Sequence, residues 1–115
     1  MRKITLSELP ESALPAETGT VLRRFTGGEN LTLARITFAA GSVLPGHAHV
    51  NEQFTVVLEG TLRFVGKDGE TTDVHAGEVM HLPPHVFHGA TALTDATVLD
   101  VFAPVRADWG TPQAG

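Results

Sequence analysis

The stretch GSVLPGHAHVNEQFTVVLEG, residues 41–60, pairs a cluster of metal-binding side chains with a run of strand-forming residues. His47 and His49 are two apart, so on one strand their side chains leave the same face and converge on one point. Gln53 shares that parity, and Phe54 to Leu58 follows as an apolar run of strand length. Two imidazoles placed just ahead of core-facing positions are costly unless something binds their nitrogens. A lone histidine would be an ordinary core or surface residue. The pattern here points to a metal ion.

Outward from this stretch the chain reads as all-β. No long segment keeps the i, i+3, i+4, i+7 spacing of an amphipathic helix, and twelve Gly and seven Pro punctuate short apolar runs. Strands are predicted at Leu31 to Phe38, Phe54 to Leu58, Thr61 to Val65, Glu78 to Leu82 and Thr97 to Phe102, each rich in β-branched or aromatic residues. Glu59-Gly60 and Gly66-Lys67-Asp68-Gly69 read as hairpin corners. Short half-apolar strands at this spacing make a sandwich or a barrel, and periodicity alone does not choose between them.

A chain of 115 residues is the size of one domain, and its 42% apolar and 18% charged residues are ordinary for a globular protein. With a net charge of -5 and scattered Lys and Arg, it has no basic stripe for nucleic acid. Having no cysteine, it must hold any metal through nitrogen and oxygen. The sequence has neither an apolar stretch of secretory form nor a span of membrane length, so a soluble cytoplasmic protein is the expectation. Both ends, residues 8 to 20 and 103 to 115, read as extended arms around the fold.

A second cluster lies downstream. Gly77, Pro83 and Pro84 precede His85 and His88, placing His88 after a rigid turn and in the next strand as a third nitrogen ligand. Three neutral imidazoles with the Gln53 amide oxygen suit one divalent transition metal, Mn, Fe, Co, Ni or Zn, better than Ca or Mg. His75 reads as a solvated turn residue, and His81 lies within a strand on a face the sequence does not fix.

On these residues the chain resembles the cupin superfamily. The first cupin motif runs Gly, five residues, His-x-His, three or four residues, an acidic ligand, six residues, Gly. Gly41, His47, His49, Gln53 and Gly60 fall on it, with Gln53 at the acidic position, as in the subset that uses three histidines and one glutamine. The second motif runs Gly, five residues, Pro-x-Gly, two residues, His, three residues, Asn. It is met by Gly77, Pro83 and His88, with His85 replacing the glycine and Ala92 the asparagine. The resemblance implies one cupin domain over residues 1–115, a double-stranded β-helix or jelly-roll barrel with its characteristic part at about residues 30–103. It also implies a metal held by His47, His49, Gln53 and His88.

A narrower likeness covers Val98 to Trp109 together with Asn51-Glu52-Gln53. It is similar to small cupins of pectin and alginate breakdown, which linearise unsaturated monouronates. In those proteins an Asp, a Phe and an Arg near the last strand adjoin the metal, and Asp100, Phe102 and Arg106 match by spacing. The chain departs from them at Asn51, where many read His, and at Ala107, where an acidic residue is common.

A site of three imidazoles and an amide leaves the ion its full double charge and so prefers a small anionic substrate. On the uronate reading Arg106 pairs with the carboxylate, Asp100 moves the proton and Phe102 forms an apolar wall. The plainer alternative is an Asp100 to Arg106 ion pair that pins the tail to the barrel. Arg23, Arg24, Arg35 and Arg63 are further anion-binding candidates, Arg35 the foremost because its strand is otherwise apolar. The competing functions are a metal-dependent dioxygenase and a non-catalytic module that binds or senses a small acid. A homodimer is expected, since small barrels commonly pair exposed edge strands and the N-terminal arm could supply a swapped strand.

Overall fold

Residues alternate strictly between inside and outside along the strand Thr32–Phe38, where Thr32, Ala34, Ile36 and Phe38 are buried and the residues between them are not. That period of two makes one face of every strand a core surface, and two such surfaces must close on each other. A computed structural model describes residues 1–110 and shows how they do so. In chain order the strands are β1 (Ser12–Ala13), β2 (Val21–Gly27), β3 (Thr32–Phe38), β4 (Val43–His47), β5 (Glu52–Glu59), β6 (Thr61–Gly66), β7 (Thr71–His75), β8 (Val79–Leu82), β9 (His88–Ala92) and β10 (Ala96–Ala103). Short 3-10 turns lie at Leu6–Glu8 and Ala107–Trp109.

The strands form two antiparallel sheets, one of six strands in the order β1-β2-β3-β10-β5-β8 and one of four in the order β4-β9-β6-β7. Together they make an all-β jelly roll. Its core is drawn from both sheets: Val21, Ala34, Ile36, Val57 and Val98 from the larger, Leu62, Phe64, Val74, Ala90 and Ala92 from the smaller. No helix among the described residues is long and apolar enough to cross a membrane.

All five strands expected from the sequence are present, with ends moved by one or two residues. Of the five others, β1 is only two residues long, and β2, β4, β7 and β9 carry arginine, proline, glycine, aspartate or histidine that interrupts the apolar signal. Gly66 to Gly69 does close a hairpin, between the paired strands β6 and β7. Glu59-Gly60 does not. It carries the chain from β5 in one sheet to β6 in the other, an inter-sheet corner rather than a hairpin. The N-terminal arm lies on its own barrel, where β1 pairs with β2. The C-terminal arm is described as far as Gly110, and the rest of that expectation lies outside the described residues.

Gly60 and Gly69 both have positive φ, +80° and +81°. A side chain at Gly69 would meet nothing within 4 Å, whereas one at Gly60 would collide with the Asp95 carbonyl oxygen and the Thr94 hydroxyl. Gly69→Ala should therefore cost only the left-handed penalty of about 1–2 kcal/mol. Gly60→Ala should cost clearly more, as read from paired denaturant unfolding curves.

Candidate metal centre

His47 closes β4, and the residue across from it in the ladder is His88, which opens β9. A register shift between Leu44 and His47 breaks the β4 pairing just before that pair. Residues 48–51 then cross to the other sheet, and Gln53 is the second residue of β5. His49 sits in this crossing. The expectation that His47 and His49 share a strand face is therefore corrected: the bend of the chain, not strand parity, brings them together. Ring centroids are 5.3 Å apart for His47 and His49, 4.7 Å for His47 and His88, and 5.0 Å for His49 and His88. One ligand atom from each lies within 4.8 Å of the others.

The protonation of these rings follows from their backbone partners. Nδ1 lies 3.1 Å from the Pro45 carbonyl in His47, 2.9 Å from that of Asn51 in His49, and 2.9 Å from that of Val86 in His88. A carbonyl can only accept, so each Nδ1 carries the hydrogen and each neutral ring keeps its Nε2 lone pair. Burial holds the His49 and His88 rings in that neutral form. It lowers the His88 pKa to about 4, and it lowers that of His49 with help from the Arg106 charge.

Gln53 is placed beside the three histidines, where its amide oxygen could act as a fourth donor. Its amide nitrogen donates to the Thr55 hydroxyl at 2.9 Å, and that hydroxyl donates to Asp100 Oδ1 at 2.6 Å. The relay turns the amide oxygen toward His49, where Oε1 lies 3.0 Å from Nε2. Two groups that only accept thus face each other, which is unfavourable unless a cation answers both. The donor set fits a divalent transition ion, and the three histidines form a cluster that could bind one.

His47, Gln53 and His88 border a cavity of about 410 Å³ between the sheets, walled by Ile36, Phe38, Leu62, Phe64 and Val98 and reached also by Asp100, Phe102, Arg106, Arg23 and Trp109. Asp100 is buried on the inner face of β10, and burial raises its pKa to about 6 despite the Thr55 hydrogen bond. Phe102 is buried edge-on to His49. Arg106 forks onto Asp108, with Nε at 3.0 Å and Nη2 at 2.8 Å, and its guanidinium lies 4.7 Å from the Phe102 ring centroid and 4.5 Å from that of Trp109. Its hydrogen bonds hold the Asp108 carboxyl below the usual range. The alternative Asp100 to Arg106 ion pair does not form, because Asp108 takes that guanidinium edge.

Of the remaining candidates, Arg24 pairs with Glu11, Arg63 pairs with Asp73, and Arg35 alternates with buried residues and so faces outward. Only Arg23 among them reaches the cavity. His75 ends β7 exposed, and His81 pairs with Glu52 on the outer surface. Sequence reasoning missed Asn51, which is buried, accepts from His49 through its carbonyl, and donates through its side chain to the carbonyls of Pro104 and Val105. It also missed Thr55 and Asp108. A polar Thr55 inside the apolar run was the available signal for the first, and Asp108 beside Ala107 for the second. His85 stands where the motif has glycine, and its backbone is left-handed, φ 65°.

The Cupin_2 family model, described as a cupin domain, matches residues 34–102, and the chain belongs to the cupin family. Solved structures agree. An RmlC-like cupin from Shewanella frigidimarina is 30% identical over 85% of this chain and 87% of its own, with a TM-score of 0.74. KdgF from Halomonas sp. is 29% identical over 85% and 92%, also at 0.74. An RmlC-like cupin from Desulfovibrio desulfuricans is 28% identical over 91% and 92%, at 0.64. No curated protein matches significantly.

Two outcomes follow from the geometry. Thr55→Val should cost about 1–3 kcal/mol by unpairing buried groups. By freeing the Gln53 amide it should also weaken metal binding about 10–100-fold, read by competition with a fluorescent chelator. His85→Gly should raise stability by roughly 1 kcal/mol in urea unfolding, by relieving the left-handed backbone.

Proposed function

We propose that the chain is a metal-dependent enzyme that opens and ketonises the ring of a small unsaturated sugar acid, a 4,5-unsaturated monouronate. The carrying observation is that an uncharged donor set, His47, His49, His88 and Gln53, sits at a cavity lined by His47, Gln53 and His88 together with Asp100 and two arginines. A divalent ion held by those donors would keep its full charge and polarise an oxygen of the bound acid as a Lewis acid. The resemblance of Val98 to Trp109 to monouronate-linearising cupins supports the substrate class, as does the similarity to KdgF from Halomonas.

The chain's own residues divide the remaining work. Ring opening moves a proton from the anomeric hydroxyl to the ring oxygen, and ketonisation moves one from the new enol to its neighbouring carbon. Two carboxyl groups line the cavity, and Asp108 is committed to Arg106. Asp100 is left to accept and return the proton, held in place by the Thr55 hydroxyl. Arg106 adds positive charge at the wall. Phe102 supplies an apolar surface that limits access of water.

Incubating metal-loaded protein with 4,5-unsaturated galacturonate and following the conjugated ultraviolet absorbance tests this reading. Absorbance should fall faster than in buffer, equally with and without dioxygen, which separates the reaction from an oxygenase. Asp100→Asn should slow the loss about 10²–10⁴-fold. Decay no faster than buffer, with metal shown to be bound, would remove the proposal.

A further inference from the structure

The strand Val21–Gly27 places an arginine in an apolar row. Val21 and Phe25 are buried core residues, and Arg23 lies between them with the buried Ile36 as its ladder partner. A guanidinium on an inward face is costly unless something answers its charge. Nε donates to the Ser12 hydroxyl at 3.0 Å, and the guanidinium carbon lies 4.5 Å from the Trp109 ring centroid and 5.2 Å from that of Phe25. Those contacts fix the plane of the group and satisfy one of its five N–H donors.

No hydrogen bond or ion pair among the described residues reaches its terminal nitrogens. Arg106, the neighbouring cation in the same cavity, already takes both carboxylate oxygens of Asp108. The two guanidiniums therefore share one committed carboxylate, and the charge on Arg23 is the one left over. Burial and the Arg106 charge both lower the Arg23 pKa, as expected of a cation lacking a partner of its own.

We propose that Arg23 is the carboxylate anchor of this cavity: its end-on pair of N–H groups takes the carboxylate of a bound hydroxy acid. The acid's hydroxyl or carbonyl oxygens are then left to the histidine centre. This deepens the sugar-acid reading above and rests on it. A planar fork already oriented by Ser12 and Trp109 suits a two-oxygen anion and loses little freedom on binding it. The Arg106 edge, expected from the sequence to do this, is occupied by Asp108. Arg23 is thus a specificity residue that selects acids over neutral sugars.

Trp109 is the chain's single tryptophan and touches Arg23, so its fluorescence reports the anchor without turnover. Metal-loaded protein is titrated with D-galacturonate and with D-galactose, which lacks the carboxylate. Galacturonate should change the emission saturably, and galactose should bind at least about tenfold more weakly. Arg23→Gln should weaken galacturonate about 10–100-fold and leave bound metal and the galactose response as they were. Arg23→Lys, which keeps charge and stem but not the fork, should recover part of the loss, and Arg63→Gln on the outer surface should match the parent.

Equal responses to both sugars, or parental galacturonate affinity in Arg23→Gln, would overturn the anchor. If that variant does not fold, parental affinity in Arg23→Lys does the same. An intact carboxylate response without uronate turnover would strike the functional reading alone. Turnover with an unaffected Arg23→Gln would strike the anchor alone.

Discussion

Three imidazole N–H groups, each given to a backbone carbonyl two residues away, are the constraint on which the centre depends. With Nδ1 committed in every ring, the Nε2 atoms are left as bare acceptors turned toward one another. Were any ring to take the other tautomer, it would present a hydrogen to its neighbours and the cluster would lose a donor. The carbonyls come from Pro45, Asn51 and Val86, so the chemistry of the site is written into the path of the main chain around it.

The same logic extends outward through Gln53. An amide has two ends of similar size and opposite character, and nothing in its own shape decides which faces the histidines. The Thr55 hydroxyl and the Asp100 carboxylate decide it, since only the NH2 end can donate to a hydroxyl whose own hydrogen is already given away. Asp100 thereby joins the proton chemistry proposed for the cavity to the orientation of a metal donor.

Much of this was legible in the sequence because spacing survives folding. The motif intervals placed His47, His49, Gln53 and His88 together, and apolar alternation placed β3, β5, β6, β8 and β10. What stayed hidden depends on partners far along the chain. Strand parity gave the right pairing of His47 with His49 for the wrong reason, since His49 lies off the strand. The Asp108 fork could not be foreseen from Arg106, because a residue two positions away competes with one from the adjacent strand only once the tail turns at Ala107–Trp109. Arg35 drew attention over Arg23 because its strand is more apolar. The side of the sheet on which each points separates them, and Val21-x-Arg23-x-Phe25 was the pattern that held this information.

The crossing at residues 48–51 has a mechanical side. His47 and His88 belong to the four-stranded sheet and Gln53 to the six-stranded one, so an ion gripped by all of them is a rivet through both layers. With such an ion bound, the layers could not part at this end without tearing out a ligand. The hold on the ion would then be tied to the breathing of the barrel mouth, where Phe102 packs edge-on against Trp109.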